Sequence, residues 1–369
     1  MKNISVFSFF SGSGFLDLGF EKSGFSVVEV NEYFEPFIEA YKYSRKNLEL
    51  AEPKFGYSLG SIGDYVGNIE FKDRVEIEKE NNIVGFIGGP PCPDFSVAGK
   101  NRGRDGENGQ LTQTYFDLII QELPDFFVFE NVKGLWKTKK HNLFYNDIKK
   151  QAEDAGYIII DSLLNALQFD VPQDRERIFM IGILKEKLSI VESEIVQNFN
   201  WGMKNNSIEK IKLLNWPETN IFQEDNILKK PTNINEIFTI EYWFKKNEVY
   251  IHPNANEYFK PRQALNKFYS IEEGDISKKS FKRLHRWRYS PTAAYGNNEV
   301  HLHPYKPRRI SVAEALAIQS LPQDFILPPA MTLTNKFKTI GNGVPFEMSK
   351  GIAGELYTFL NKIFCEKGI

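Results

Sequence analysis

The chain has 369 residues, of which 41% are hydrophobic and 25% charged, with a formal net charge of −2. These values fit a soluble globular protein of two or three domains with a substantial core, and they exclude a disordered or fibrous chain. No apolar run approaches the ~18 residues of a membrane span, the start from Met1 to Val6 reads as a strand rather than a signal peptide, and two cysteines, Cys92 and Cys365, fit a reducing, cytoplasmic setting.

From Ile4 to about Leu184 short apolar strands alternate with amphipathic helices, the pattern of a parallel sheet wound by βα units. Strands are predicted at 5–9, 26–30, 84–87, 126–130, 157–161 and 178–184, and helices near 15–22, 35–47, 114–122 and 142–155. After Lys185 the alternation is lost, and Asn, Lys, Ile and Glu dominate. A smaller second domain of irregular and β structure is expected over 186–333. The amphipathic stretch from Phe346 to Leu360 is expected to return as a helix to the first domain, so that 334–369 completes 1–185.

The first strand leads into Phe10-Ser11-Gly12-Ser13-Gly14, a turn in which glycines let the backbone approach a nucleotide-like ligand at a helix N-terminus. Asp17 stands where a dinucleotide fingerprint has its third glycine, which argues against pyrophosphate and for a smaller adenosine cofactor. Glu32 closes the second strand, where an acid would take ribose hydroxyls.

The apolar run from Ile83 to Ile87 is followed by Gly88-Gly89-Pro90-Pro91-Cys92, which presents the thiol at the carboxyl edge of the sheet, where open α/β folds bind ligands. The other cysteine stands near the far end of the chain, so nucleophilic chemistry explains Cys92 better than a disulfide or a metal site does; an inert buried thiol is the alternative. Glu130 follows Phe127-Val128-Phe129 to the same edge, where desolvation would raise its pKa and let it carry a proton. Arg175 and Arg177 lie on one extended face, able to hold that acid and to bond a planar heterocycle.

Between Phe259 and Ile310 twelve Lys and Arg stand against four acids, with Trp287, Tyr289 and Tyr295 interleaved, a composition suited to nucleic-acid phosphates or to a solvated surface. His301 and His303 lack the partners of a metal site, so none is expected; His285 and His303 read as phosphate contacts or solvent-facing groups.

Gly89-Pro90-Pro91-Cys92, Glu130-Asn131-Val132, Gln173-Asp174-Arg175-Glu176-Arg177, Arg308-Arg309-Ile310-Ser311 with Glu314 and Gln319, and Gly341-Asn342-Gly343-Val344-Pro345 follow the glycine turn in the order of the DNA cytosine-5 methyltransferases of bacterial restriction-modification systems. The chain resembles that family from residue 5 to about residue 350, apart from a divergent stretch near 186–280. The resemblance implies a Rossmann-like, S-adenosylmethionine-dependent α/β sheet domain and a smaller target-recognition domain, with double-stranded DNA bound between them. It implies Cys92 as the nucleophile toward C6 of a flipped-out cytosine, Glu130 as the acid at N3, and Arg177, with Arg175 behind it, as the pair that orients Glu130 and binds the base carbonyl. Phe10, Gly12, Gly14, Glu32, Tyr33, Ile62, Asn342 and Val344 match positions that cradle S-adenosylmethionine. Ser96, Lys100, Arg102 and Arg104 after the nucleophile, with Arg283, Arg286, Arg288, Arg308 and Arg309, are the expected DNA contacts. Family analogy also suggests a cognate restriction endonuclease and a monomer on DNA.

Three positions depart from the family pattern: Pro93 where glutamine is usual, Phe15 where glycine is common, and Ser61 where many members carry aspartate. A transfer-RNA cytosine-5 methyltransferase shares the motifs but usually lacks so long a recognition insert. A DNA-binding protein without catalysis would not need Cys92, Glu130, Arg175 and Arg177 together.

Overall fold

The computed structural model describes residues 3–91, 107–187, 199–205, 207–261, 264–293, 295 and 300–365. Strands β1 (Ile4–Phe9) and β4 (Ile83–Gly88) are buried along their whole length, which requires cover on both faces of the sheet they form. With β2 (Ser26–Glu32), β3 (Tyr57–Leu59), β5 (Phe126–Val132), β6 (Tyr157–Asn165) and β8 (Glu176–Leu184) they build a seven-stranded sheet of order β3-β2-β1-β4-β5-β8-β6. One face packs on α1 (Phe15–Glu21) and the helix Phe346–Cys365 through Leu16, Phe20, Met348, Ile352 and Leu356. The other packs on α3 (Ile69–Asn81), α4 (Glu107–Glu122) and the helix Lys139–Asp154, which supply Phe71, Tyr115, Phe116, Ile119 and Ile148. The second helix of the chain, α2 (Glu35–Asn47), lies where the sequence predicts it, and the helix at the end runs beyond its predicted limit.

The sheet is not wholly parallel. β8 runs antiparallel to both β5 and β6, because β6 is followed only by the turn Ala166–Phe169 and the short β7 (Gln173–Asp174), too little chain for a crossover helix. Among the elements the sequence does not announce are β3 and α3. β3 is only three residues long, and α3 buries no more than Phe71, Val75 and Glu78 in a charged sequence, which leaves a weak apolar stripe.

The segment after residue 199 holds short helices, Ile208–Lys212, Ile240–Lys246 and Lys267–Ser270, and little β structure among the described residues beyond Ser290–Pro291, which pairs with β7. A third apolar cluster joins Phe15, Leu18, Phe37 and Ala40 to Trp243, Ile310, Leu316, Phe325 and Phe337. It runs across the boundary expected at 333, so the residues around the helix Val312–Ile318 pack directly on α1 and α2. Phe15, one of the departures, fills this seam: its ring stacks edge-on against Phe325 at 5.1 Å and occupies the space beside Gly343. No helix among the described residues is long and apolar enough to cross a membrane.

Candidate functional site

The carboxyl ends of β1, β2, β4 and β5 meet at one edge of the sheet. After β1 the chain turns through Phe10 and Gly12, both at positive φ, and through Gly14 at φ 83°, which opens α1. A Cβ on Gly14 would lie 2.7 Å from the Tyr41 ring, so glycine is required there for space as well as for conformation. A Cβ on Gly12 would meet no atom within 4 Å, so the turn has an open side. Glu32, at the end of β2, closes the turn: its two carboxylate oxygens accept the backbone N–H groups of Gly12 and Phe34, each at 2.8 Å. Burial raises its pKa against those hydrogen bonds. Tyr33 beside it is 77% exposed, whereas Ile62 is buried behind Ser61, whose side chain caps the following turn by accepting from Gly63 N–H. Val344 is buried and Asn342 exposed in the later turn.

Beneath the glycine turn lies a charged cluster that the sequence reading missed. The Tyr41 hydroxyl donates to Asp17 at 2.9 Å, Arg45 donates to the Tyr41 hydroxyl at 3.1 Å, and Arg45 is paired with Glu21. The available signal is the pairing of Asp17 with Glu21 and of Tyr41 with Arg45, each one helical turn apart on facing helices. Burial pushes Asp17 up to about 6 and Glu21 up to about 7, with Arg45 opposing both.

Glu130 is placed by strand register. Arg177 of β8 stands opposite Val132 of β5, two residues from Glu130 on the same face, so its side chain reaches diagonally across. Arg177 Nε lies 2.9 Å from Glu130 Oε1, with both side chains nearly buried. Burial raises the Glu130 pKa, and the charges of Arg177 and Arg175 oppose it. The chain leading from β4 toward Cys92 passes directly against this carboxyl: a Cβ on Gly89 would sit 2.7 Å from Glu130 Oε2, so any side chain there would displace the carboxyl. Cys92, Ser96, Lys100, Arg102 and Arg104 lie outside the described residues.

Arg175 takes a different post from the one expected. Fully buried, it donates to the carbonyls of Gly341 at 2.9 Å, Gly343 at 3.0 Å and Asn342 at 3.4 Å, and so clamps the turn before the last helix; its charge still reaches Glu130. Gln173, which accepts from Ala293 N–H at 3.1 Å, and Gln319, which donates to Ile340 O at 2.6 Å, fasten the same seam.

Four arginines of the basic stretch are spent inside the protein, which corrects the expectation that they face DNA, while Lys260, Lys267, Lys278 and Lys279 stay exposed. Arg283 is fully buried and donates to the carbonyls of Phe268, Ile271, His303 and Lys306. Arg286 is buried against Glu273 and Asn226, Arg309 is buried on Val300 O, and Arg308 forms a bidentate pair with Glu314 at 2.7 and 2.8 Å. His285 and His303 are buried as well; His303 lies 3.3 Å from Glu314, and burial lowers both histidine pKa values. Arg288 alone of the expected arginines here stays partly exposed without a carboxylate partner among the described residues.

Asp17 titrates in a testable window. Its folded pKa of about 6 lies above the unfolded value, so its contribution is present below about pH 4 and lost as pH rises through about 6, an effect of up to about 3 kcal/mol. Asp17→Asn keeps an acceptor for Tyr41 without the charge. In urea unfolding from pH 4.5 to 7.5 its stability is expected to gain on the wild type as pH rises; parallel curves would contradict this assignment.

The family model of the C-5 cytosine-specific DNA methylases matches residues 4–358. The type II methyltransferase M.NmeDI of Neisseria meningitidis serogroup C is 55% identical over 363 residues, covering 97% of this chain and 84% of its own. M.FnuDI of Fusobacterium nucleatum is 28% identical, covering 95% and 93%. Among solved structures, an E. coli prophage protein assigned as a DNA modification methyltransferase aligns with a TM-score of 0.68 at 23% identity, over 97% of this chain and all of that one. Dnmt2 of S. pombe aligns at 0.59 and 14%, over 98% and 99%; at these identities the likeness concerns the fold. The chain belongs to the C-5 cytosine-specific DNA methylase family and is a DNA methyltransferase.

Proposed function

We propose that this enzyme methylates C5 of a cytosine flipped out of duplex DNA, through a transient bond between Cys92 and C6. The observation that carries the reading is the buried Glu130, held by Arg177 and lying against the backbone that leads to Cys92. Cytosine C5 is a poor nucleophile, so electron density has to be supplied by addition at C6. A cysteine of ordinary pKa, about 8.5, is only a few per cent thiolate at neutral pH, so an acid that meets the charge developing on the ring is needed to draw the addition forward. A carboxyl with its pKa raised by burial is suited to hold a proton at cytosine N3 as the ring loses aromaticity, and to take it back when the ring re-forms. Arg177 fixes the rotation of that carboxyl and offers a guanidinium toward the base carbonyl.

S-adenosylmethionine, implied by the family and the fold, supplies an electrophilic methyl group. The residues present fit it: the open side of Gly12 admits a ligand against the backbone, and Gly14 keeps the turn clear of Tyr41. Each Glu32 oxygen accepts one N–H and retains a lone pair for a ribose hydroxyl. Phe10, the exposed Tyr33 ring, Ile62, Asn342 and Val344 would complete the cradle. Extruding the base costs a few kcal/mol, which contacts in the pocket and to the backbone repay. Ser96, Lys100, Arg102, Arg104 and Arg288 are assigned to phosphates. Residues from 199 to about 300 are assigned to target recognition, and the type II names of the relatives support a cognate restriction endonuclease.

Cys92→Ser is expected to abolish methyl transfer while duplex binding persists, measured by labelled methyl incorporation beside a binding titration; transfer at the wild-type rate would refute the nucleophile. Gly89→Ala is expected to push Glu130 off Arg177 and to lower kcat by about 10²-fold, with DNA and cofactor affinities changed far less. An unchanged kcat would show that the carboxyl position does not matter.

A further inference from the structure

With Arg283, Arg286, Arg308 and Arg309 paired internally, these four guanidinium groups are not available to DNA phosphates. A cavity of about 390 Å³ opens on the recognition segment between the helix Ile240–Lys246 and Trp287, lined by Lys230, Glu236, Tyr242, Lys245, Lys246 and Trp287. Its floor is aromatic and fixed: Trp287 is 9% exposed and its indole N–H donates to Leu228 O at 3.2 Å. Its rim is cationic. Lys245 stands over the Trp287 ring at 5.5 Å and lies 3.3 Å from Glu241, Lys246 stands over Trp243 at 4.1 Å, and Lys230 pairs with Glu236, so three ammonium groups stand beside two carboxylates.

The ammonium groups are solvent-accessible, with the side chain of Lys245 68% and that of Lys230 50% exposed. Among the described residues Lys246 has no carboxylate at ion-pair distance. Burial of its stem, with Lys204 and Lys350 nearby, holds its pKa below the usual lysine value, although Glu347 opposes this. An anion seated here would relieve that repulsion.

Chain connectivity limits the distance to the catalytic edge. Trp287 is three residues from Ser290, Ser290 pairs with Gln173, and Gln173 is four residues from Arg177, which touches Glu130. At about 3.3 Å per residue the groove lies within roughly 30 Å of Glu130, or about nine base pairs of duplex. We propose that the groove of Lys230, Lys245, Lys246, Tyr242 and Trp287 seats the sugar-phosphate backbone of duplex DNA flanking the target cytosine. The ammonium groups take successive phosphates and the aromatic floor packs against the deoxyribose between them. This rests on the reading of the chain as a DNA methyltransferase.

The test is the salt dependence of duplex binding by the full-length protein. Each of Lys230→Gln, Lys245→Gln and Lys246→Gln is expected to reduce the slope of log affinity against log salt by about 0.9, and the triple variant by nearly three times that. The triple variant is expected to bind duplex at least tenfold more weakly at moderate salt. Its kcat at saturating DNA and its affinity for S-adenosylhomocysteine are expected to match the wild type, which also shows that it is folded. A triple variant with the wild-type slope would overturn the groove while leaving the methyltransferase reading intact. A wild type that neither binds nor methylates any duplex would overturn that reading itself.

Discussion

One constraint governs this edge of the sheet: a carboxyl group has to be kept dry at the end of a strand and still point at a fixed place. Burial alone would protonate Glu130 and leave it free to rotate, and the Arg177 charge alone would favour the carboxylate. Together they leave a carboxyl whose pKa burial holds above its ordinary value and whose orientation is set by a side chain on the neighbouring strand. That strand can supply the arginine because it runs antiparallel. β8 starts at the edge where β5 ends, so the first residues of one meet the last residues of the other. A parallel strand in that position would have carried the arginine to the far end of the sheet.

The rest of the edge is built around this pair. Arg175, two residues before Arg177, ties the Gly341–Gly343 carbonyls to the chain entering β8, so the last helix and the Glu130–Arg177 pair share one anchor. Phe15 and Gly343 pack in the seam between them, which explains how a bulky residue is accommodated where related chains often have glycine. At the end of β2 Glu32 is fixed by two backbone N–H groups, and the buried Asp17, Tyr41, Arg45 and Glu21 hold the underside of the glycine turn.

Much of the sheet and of its edge could be read from residue order, because buried parallel strands are apolar runs and because Glu32 and Glu130 end such runs. The antiparallel return of β8 could not, since it depends on the number of residues between strands and not on their type. The fate of the basic stretch was least legible. Guanidinium groups at Arg283, Arg286, Arg308 and Arg309 have the same composition whether they meet phosphates or the protein's own carbonyls and carboxylates, and only the partners Phe268, His303, Glu273 and Glu314, most of them distant in sequence, decide between the two. Histidines at 285 and 303 follow the same rule: their polar neighbours are internal.

The most direct measurement is to offer the protein a duplex whose target cytosine carries fluorine at C5, with S-adenosylmethionine present, and to weigh the product. Fluorine cannot leave as a proton does, so a sulfur bonded to C6 stays bonded once the methyl group has been transferred. The account predicts a stable protein–DNA adduct that maps by peptide mass to Cys92. A protein that methylates the ordinary duplex yet forms no adduct with the fluorinated one would contradict it.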